Sequence, residues 1–396
     1  MGRIEDVTDE REPDVVVPIP GGDGDTTTGD SRSEAPLKSE RGLVVRKALF
    51  FVIAIFLFIL AIQLMKDGAA EVGPTIKGKF PFANGISTLG AGWLGAYFVL
   101  SGSPIAATAI SLFGAGTLTK LQTFTMLSGS RLGASFIVLL TGFIYAIRNR
   151  SRNRGESIGM GVLALSMTAI VYIPGMLIGY ALMKTGALSG INWHASAALN
   201  ALIGYVWGPV LDFVERYVPG GTLFPLGLVV ILISFKFLDH VLPELDGERT
   251  AAAKNHWLKK PWMMFMLGCI VATLTLSVSV ALTVLVPLAS KGYVNRDEAL
   301  PYIMGANITT LADTLVVAML QRTPVAAQIV LAEAIGVTIV SLIYLGFFYQ
   351  PIKRRVIALD DWLVRTNRRL WLFLAGLFLL PVLFLLSGLF IGPITS

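Results

Sequence analysis

One cysteine, three histidines and few charges set the first limits on this chain. Cys269 has no partner for a disulfide within the chain, and in its apolar segment it reads as a small packing residue. His194, His240 and His256 do not cluster, so no metal centre is expected. No catalytic constellation accompanies them, and an enzyme is not expected. Charged residues make up only 15% of the chain against 54% hydrophobic, and the mean hydropathy is +0.69. That balance excludes an ordinary soluble protein. The runs 48-ALFFVIAIFLFILAIQLM-65 and 370-LWLFLAGLFLLPVLFLLSGLF-390 are long enough to cross roughly 30 Å of hydrocarbon as helices. The net charge of +6 does not point to nucleic acid, because the basic residues gather at helix ends.

Residues 1–42 differ in kind. They are acidic and rich in Gly, Pro, Ser and Thr, and cannot bury a core, so a disordered cytoplasmic tail is expected. The first apolar run starts near Ala48, too late for a cleaved secretory signal. Basic clusters at 41-RGLVVRK-47, 148-RNRSRNR-154, 249-RTAAAKNHWLKK-260, 353-KRR-355 and 365-RTNRR-369 all fall on the cytoplasmic side by the positive-inside rule. The plan that follows is an all-α, multi-pass protein of the plasma membrane with its N-terminus cytoplasmic. It has a transmembrane unit over 43–190, an interfacial amphipathic helix over 191–220, a second transmembrane unit over 221–355, and a C-terminal transmembrane helix over 356–396. The interfacial reading rests on an apolar face at Leu199, Leu202, Ile203, Val206, Leu211 and Val214 and on charge parity, with a tilted span as the alternative.

Residues 84–147 and 261–320 each hold more apolar length than one crossing needs, and each has a mid-run break, 101-SGSP-104 and 277-SVSV-280. A re-entrant hairpin followed by one crossing solves both, provided protein or a water-filled cavity surrounds the broken backbone. The two regions repeat. Slid by 176 residues, Ser101 and Ser103 fall on Ser277 and Ser279, Gly129 falls on Gly305, and 129-GSRLGAS-135 falls on 305-GANITTL-311. Charge parity makes the hairpins enter from opposite sides, which predicts two inverted-topology repeats, each with a re-entrant hairpin and a broken transmembrane helix. In that architecture substrate sits near the midplane where the broken helices meet.

Broken helices present N–H groups to anions and C=O groups to hard cations. The hydroxyls of Ser101, Ser103, Ser277 and Ser279 can serve either, and Gly102 allows close approach to the backbone. Taken singly, each serine reads better as a helix hydroxyl bonded to its own backbone. Three charges stand in apolar surroundings: Arg131, which matches Asn307 in the repeat, Asp313, and Glu333. Arg131 holds an anion or pairs with Asp313. Asp313 and Glu333 bind a cation or carry a proton. On a helix Asp313 shares a face with Thr309, four residues earlier.

The spacing of these elements resembles the type II sodium/phosphate cotransporter family. That family is marked by a Gln-Ser-Ser-Ser hairpin in each repeat and a Gly-Ala-Asn-Ile-Gly-Thr break about 28 residues later. Here 305-GANITT-310 is close to the second element and 129-GSRLGAS-135 looser, while the hairpins read 100-LSGSP-104 and 276-LSVSV-280. The resemblance implies a sodium-driven importer of inorganic phosphate, with anion and sodium held between hairpins and broken helices. It implies site roles for Ser101, Ser103, Ser277, Ser279, Asn307 and Thr310. The departures are Leu100 and Leu276 for the glutamines, Gly102 and Val278 for the middle serines, Arg131 for an asparagine, Thr309 for a glycine, and Glu333 where an asparagine is expected. Function is therefore expected to be secondary transport of phosphate or a related small anion with sodium as coupling ion. A proton-coupled carrier of another solute and a non-transporting membrane scaffold or sensor are the alternatives. Homo-oligomers are compatible with this plan.

Overall fold

A computed structural model describes residues 37–79, 82–148, 154–241, 260–275, 277–290, 293–321 and 323–390. Most of the expected N-terminal tail, Leu276 and the basic clusters around 149–153 and 249–259 lie outside the described residues. Residues 37–42, placed in the tail by composition, are the first turns of a helix. The chain divides into two units, Met1–Val44 and Val45–Ser396, and the helical bundle is the second.

The described elements are helical throughout. In order they are α1 (Leu37–Lys79), α2 (Gly85–Val99), α3 (Ser103–Gly114), α4 (Lys120–Ala134), α5 (Phe136–Arg148), α6 (Arg154–Thr185), α7 (Ala197–Tyr217) and α8 (Gly220–Val241). The second half continues with α9 (Pro261–Thr275), α10 (Val278–Thr283), α11 (Leu285–Ser290), α12 (Arg296–Thr309), α13 (Leu311–Met319) and α14 (Pro324–Ile343). A π-helical turn, Tyr344–Phe348, joins α14 to α15 (Tyr349–Val364), and α16 (Asn367–Phe390) follows. By length and composition, eight helical segments among the described residues can cross a membrane. The expected unit boundary at 355 falls inside α15 rather than between elements.

Local sequence explains where helices start. Asn84 opens α2 with a reciprocal cap, its Oδ1 accepting from the Ser87 N–H at 2.8 Å while the Asn84 N–H donates to Ser87 Oγ. Thr119 and Gln122 open α4 in the same way. Thr323 caps α14 with Pro324 in its first turn.

The 176-residue offset reappears in the helices. Helix α2 at 85–99 corresponds to α9 at 261–275, α3 ends at 114 as α11 ends at 290, and α4 starts at 120 as α12 starts at 296. Packing repeats as well. A Cβ on Gly92 would lie 2.0 Å from the Met126 carbonyl oxygen, and one on Gly129 would lie 2.0 Å from that of Leu89. Their counterparts Gly268 and Gly305 meet Tyr302 and Phe265 at 2.1 Å. All eight residues correspond pairwise at the same offset. Small residues let α2 and α4, and α9 and α12, approach backbone to backbone, the usual way helices associate where lipid removes the hydrophobic drive.

The long helices carry matched interruptions. Helices α4 and α5 are separated by Ser135 alone, with φ −72° and ψ −8°. Helices α12 and α13 are separated by Thr310 alone, with φ −71° and ψ −12°. Each expected broken helix is thus interrupted at a single residue whose backbone stays close to helical.

Helix α7 is apolar enough and long enough to span. Of the expected face, Ile203 is buried and Leu211 and Val214 are partly so, whereas Leu199, Leu202 and Val206 are exposed; Trp207 and Val210 complete the packed stripe. Trp207 selects this face: its ring stacks on Phe56 at 5.3 Å between centroids, and its Nε1–H donates to the Phe56 carbonyl.

Candidate functional site

The first hairpin turn, between α2 and α3, is made by Leu100, Ser101 and Gly102. Leu100 has φ 56°, a left-handed conformation that costs a branched L-residue about 1–2 kcal/mol. It ends α2, and its carbonyl oxygen accepts a hydrogen bond from Ser279 Oγ at 3.2 Å. That bond joins the turn of one repeat to the start of α10 in the other. Sequence comparison marked Leu100 only as a lost glutamine; its backbone is what matters here. Gly102 has a packing role, since a Cβ there would sit 2.7 Å from the Ser130 carbonyl oxygen on α4.

Ser103, buried at the start of α3, accepts from Arg131 Nη1 at 3.4 Å. Arg131 is 2% exposed. Its Nη2 reaches Asp313 Oδ1 at 3.3 Å and also donates to Thr314 Oγ1. One guanidinium therefore ties α3, α4 and α13 together. Glu333 on α14 is fully buried, and its Oε2 accepts from Ser128 Oγ, one turn before Arg131 on α4. Arg131 lies within electrostatic reach of Glu333.

Asn307 stands at the position equivalent to Arg131 but faces elsewhere. Its Nδ2 donates to Thr168 Oγ1 at 3.0 Å, and that hydroxyl lies 2.7 Å from Ser135 Oγ at the opposite kink. Tyr172 donates its hydroxyl to the Asn307 carbonyl at 2.7 Å, and Thr310 Oγ1 bonds the same oxygen. The positions equivalent to Asp313 and Thr314 in the first repeat are Ile137 and Val138. The repeat is therefore symmetric in backbone and asymmetric in charge.

The other expected site residues are more ordinary. Ser277 caps α10, its Oγ accepting from the Val280 N–H. Thr309 bonds back to the Ala306 carbonyl at 3.4 Å. Ser101 sits half-buried in the hairpin turn beside Leu100. The structure therefore brings together Ser103, Arg131, Asp313 and, through Ser128, Glu333, with Asn307 and Thr310 in an adjoining network. Ser128, Thr168, Tyr172 and Thr314 were not singled out from the sequence. Thr314 and Ser128 adjoin residues that were, whereas nothing local marks Thr168 and Tyr172.

Three buried polar atoms of this centre have no hydrogen-bond partner: Arg131 Nε, Asp313 Oδ2 and Glu333 Oε1. One is a cationic donor and two are carboxylate acceptors. Unpaired groups of this kind are costly in a dry interior and call for a ligand, a proton or an ion.

Eight helices of membrane-crossing length and composition among the described residues, closing over a buried centre of charges and hydroxyls, are those of a multi-pass membrane protein. Residues 230–360, about a third of the chain, match the sequence model of a family described as Na+/Pi-cotransporter. The match and the eight membrane-length helices together support a membrane transporter; the family is one of transporters, not of enzymes. The matched stretch runs from α8 to α15 and holds Ser277, Ser279, Asn307, Thr309, Thr310, Asp313 and Glu333. No curated protein and no solved structure matches the chain.

Proposed function

We propose that this protein is a cation-coupled secondary transporter of a small oxyanion, inorganic phosphate first among them, working across the plasma membrane with its N-terminus in the cytoplasm. In this reading the two 176-related units are inverted repeats, and the α2–α3 and α9–α10 turns are re-entrant tips. The observation that carries the proposal is the set of unpartnered atoms around Arg131.

The electrostatics make coupling a requirement. Arg131 offers one positive charge, already faced by Asp313, with Glu333 close by. An anion arriving at Arg131 would leave the centre with excess negative charge in a medium that screens it poorly. Cations on Asp313 Oδ2 and Glu333 Oε1 remove that excess. Anion and cation therefore each raise the other's affinity, which is the thermodynamic content of symport. Ser103 and Thr314 hydroxyls orient the guanidinium, and Ser101, Ser277, Ser279, Asn307, Thr309 and Thr310 supply further polar groups along the path.

Sodium is the family's ion and the first reading. A proton is favoured as a second reading by one fact: among the described residues no cationic side chain lies within salt-bridge distance of Glu333, whose partner is a serine hydroxyl. A buried carboxyl held only by a hydroxyl is the kind of group that relays a proton inside a membrane. The deciding experiment is labelled phosphate uptake into proteoliposomes under separately imposed sodium and proton gradients. Uptake driven by sodium alone establishes the first reading, and uptake driven by the proton gradient alone establishes the second. Folded protein that moves no small anion under either gradient overturns the proposal in favour of a scaffold or sensor.

A further inference from the structure

A strongly basic surface lies where α15 turns into α16. Helix α14 has 20 residues, about 30 Å of rise, enough to cross the hydrocarbon by itself. The π-helical turn follows, and Phe348, at φ −119° and ψ 14°, breaks the helix before α15 begins. Helix α16 is long and apolar enough to cross in turn. Helix α15 and the corner after it therefore sit at one face of the membrane.

The two faces of α15 differ. Val356, Asp360 and Leu363 are buried, and a Cβ on Gly159 of α6 would lie 2.9 Å from Asp360 Oδ2, so this face packs on the bundle. The other face exposes Arg354, Arg355, Leu359, Trp362 and Arg365, and Arg368 follows at the start of α16. Arg369 fixes the corner: its guanidinium lies 4.6 Å from the centre of the Trp362 ring, and its Nη1 donates to the Trp362 carbonyl. The nearby acids are already engaged. Asp360 and Asp361 both face Arg296, and Asp297 faces Lys353. Among the described residues, Arg354, Arg355, Arg365 and Arg368 have no carboxylate within salt-bridge distance.

Four unopposed arginines select an anion, and the guanidinium fork matches the oxygens of a phosphate. Leu359 and Trp362, 41% and 52% exposed, lie among them. A soluble anion or an acidic peptide in water has no use for that apolar surface, whereas a lipid offers a charged headgroup with acyl chains directly below it. Basic clusters on an amphipathic helix beside a crossing, with tryptophan at the interface, suit anionic lipid.

We infer that the α15–α16 corner is a docking surface for anionic phospholipids, with the arginines on the headgroup phosphates and Leu359 and Trp362 among the upper acyl chains. The inference rests on this surface alone and holds whatever the protein carries.

The test is tryptophan quenching in the full chain reconstituted into mixed bilayers of phosphatidylcholine and phosphatidylglycerol. One lipid at a time carries bromine on its acyl chains near the headgroup. The Trp362 signal is the difference between the native chain and Trp362→Phe. Brominated phosphatidylglycerol is expected to quench that signal about fivefold more strongly, per molecule of lipid, than brominated phosphatidylcholine, the effect of one arginine beside an anionic lipid surface. Arg354→Gln, Arg355→Gln, Arg365→Gln and Arg368→Gln combined should bring the ratio to about one, with quenching by phosphatidylcholine retained. Arg365→Gln alone should lower the ratio, whereas Arg46→Gln, at an exposed arginine on α1, should leave it unchanged. Equal quenching of the native chain by both lipids shows an interfacial anchor without selection and overturns the inference. So does an equal fall with Arg365→Gln and Arg46→Gln, which shows diffuse surface charge. Absence of Trp362 quenching by either lipid leaves the face to a soluble acidic partner and overturns it as well.

Discussion

Breaking the Arg131–Asp313 pair separates a structural tie from a functional centre. Both side chains are buried and their charged atoms lie 3.3 Å apart. At an effective dielectric near 20 the attraction is about 5 kcal/mol, offset in large part by the desolvation of both ions. Removing one partner leaves the other charge buried with neutral partners, Ser103 and Thr314 hydroxyls for the guanidinium and the Thr314 N–H and hydroxyl for the carboxylate. Arg131→Met and Asp313→Asn should therefore each destabilise by about 3–5 kcal/mol, whereas the double variant, which leaves neither member of the pair charged, should lose only about 1–2 kcal/mol. Unfolding of the full chain titrated in mixed detergent micelles measures all three. Singles that each cost under about 1 kcal/mol, or a double equal to their sum, would refute the reasoning. Uptake supplies the second axis. If Arg131 and Asp313 hold ligands, the double variant stays folded and transports nothing; if the pair is only a tie, it recovers most activity.

Further expectations follow from the same geometry. Gly129→Ala and Gly305→Ala each put a methyl within about 2 Å of a carbonyl oxygen where ordinary contact starts at 3.4 Å, so the helix pairs must part by more than 1 Å; a loss above roughly 2 kcal/mol in the same unfolding titration is expected for both. Equal losses would express the backbone symmetry of the repeats, and a loss at one glycine alone would contradict it. Ser279→Ala removes the bond to the Leu100 carbonyl and should cost about 1 kcal/mol, with increased protease access at the α2–α3 turn; an unchanged digest would show that the tips are held by other contacts. Glu333→Gln keeps the shape and the Ser128 bond while removing the ionisable oxygen. It should preserve anion exchange at equal concentrations on both sides and lose accumulation against a gradient. Retained accumulation would place coupling elsewhere.

Much of the fold was legible because lipid narrows the choices. Apolar runs must be helices, and basic clusters order their ends. The repeat was legible from paired Ser-x-Ser breaks and glycines, since glycine at a backbone-to-backbone crossing has few substitutes. The site was legible in part. Arg131, Asp313 and Glu333 stood out because charge is rare in apolar segments, and the pairing of Arg131 with Asp313, which residue spacing could only suggest, is present in the bundle. Thr168 and Tyr172 did not stand out, because a hydroxyl in a helix looks alike whether it bonds its own backbone or another chain segment. The packed face of α7 was legible only in part, at Ile203, Leu211 and Val214: in a lipid environment apolar residues face out as readily as in, and Trp207 with Phe56 decides the orientation.

The amino-acid sequence by itself determined a multi-pass helical protein, its 176-residue repeat and the charges that have to be accounted for. Hydropathy, turn residues and the cost of charge in hydrocarbon are local properties, and they can be read one segment at a time. Only the tertiary structure decided that the breaks are single-residue interruptions, that Leu100 meets Ser279, that Arg131 and its counterpart Asn307 face different partners, and that Asp313 has one oxygen in an ion pair and the other without a hydrogen-bond partner. Those outcomes depend on which helices approach closely enough for side chains to reach across, and that distance is set by small residues on two helices at once.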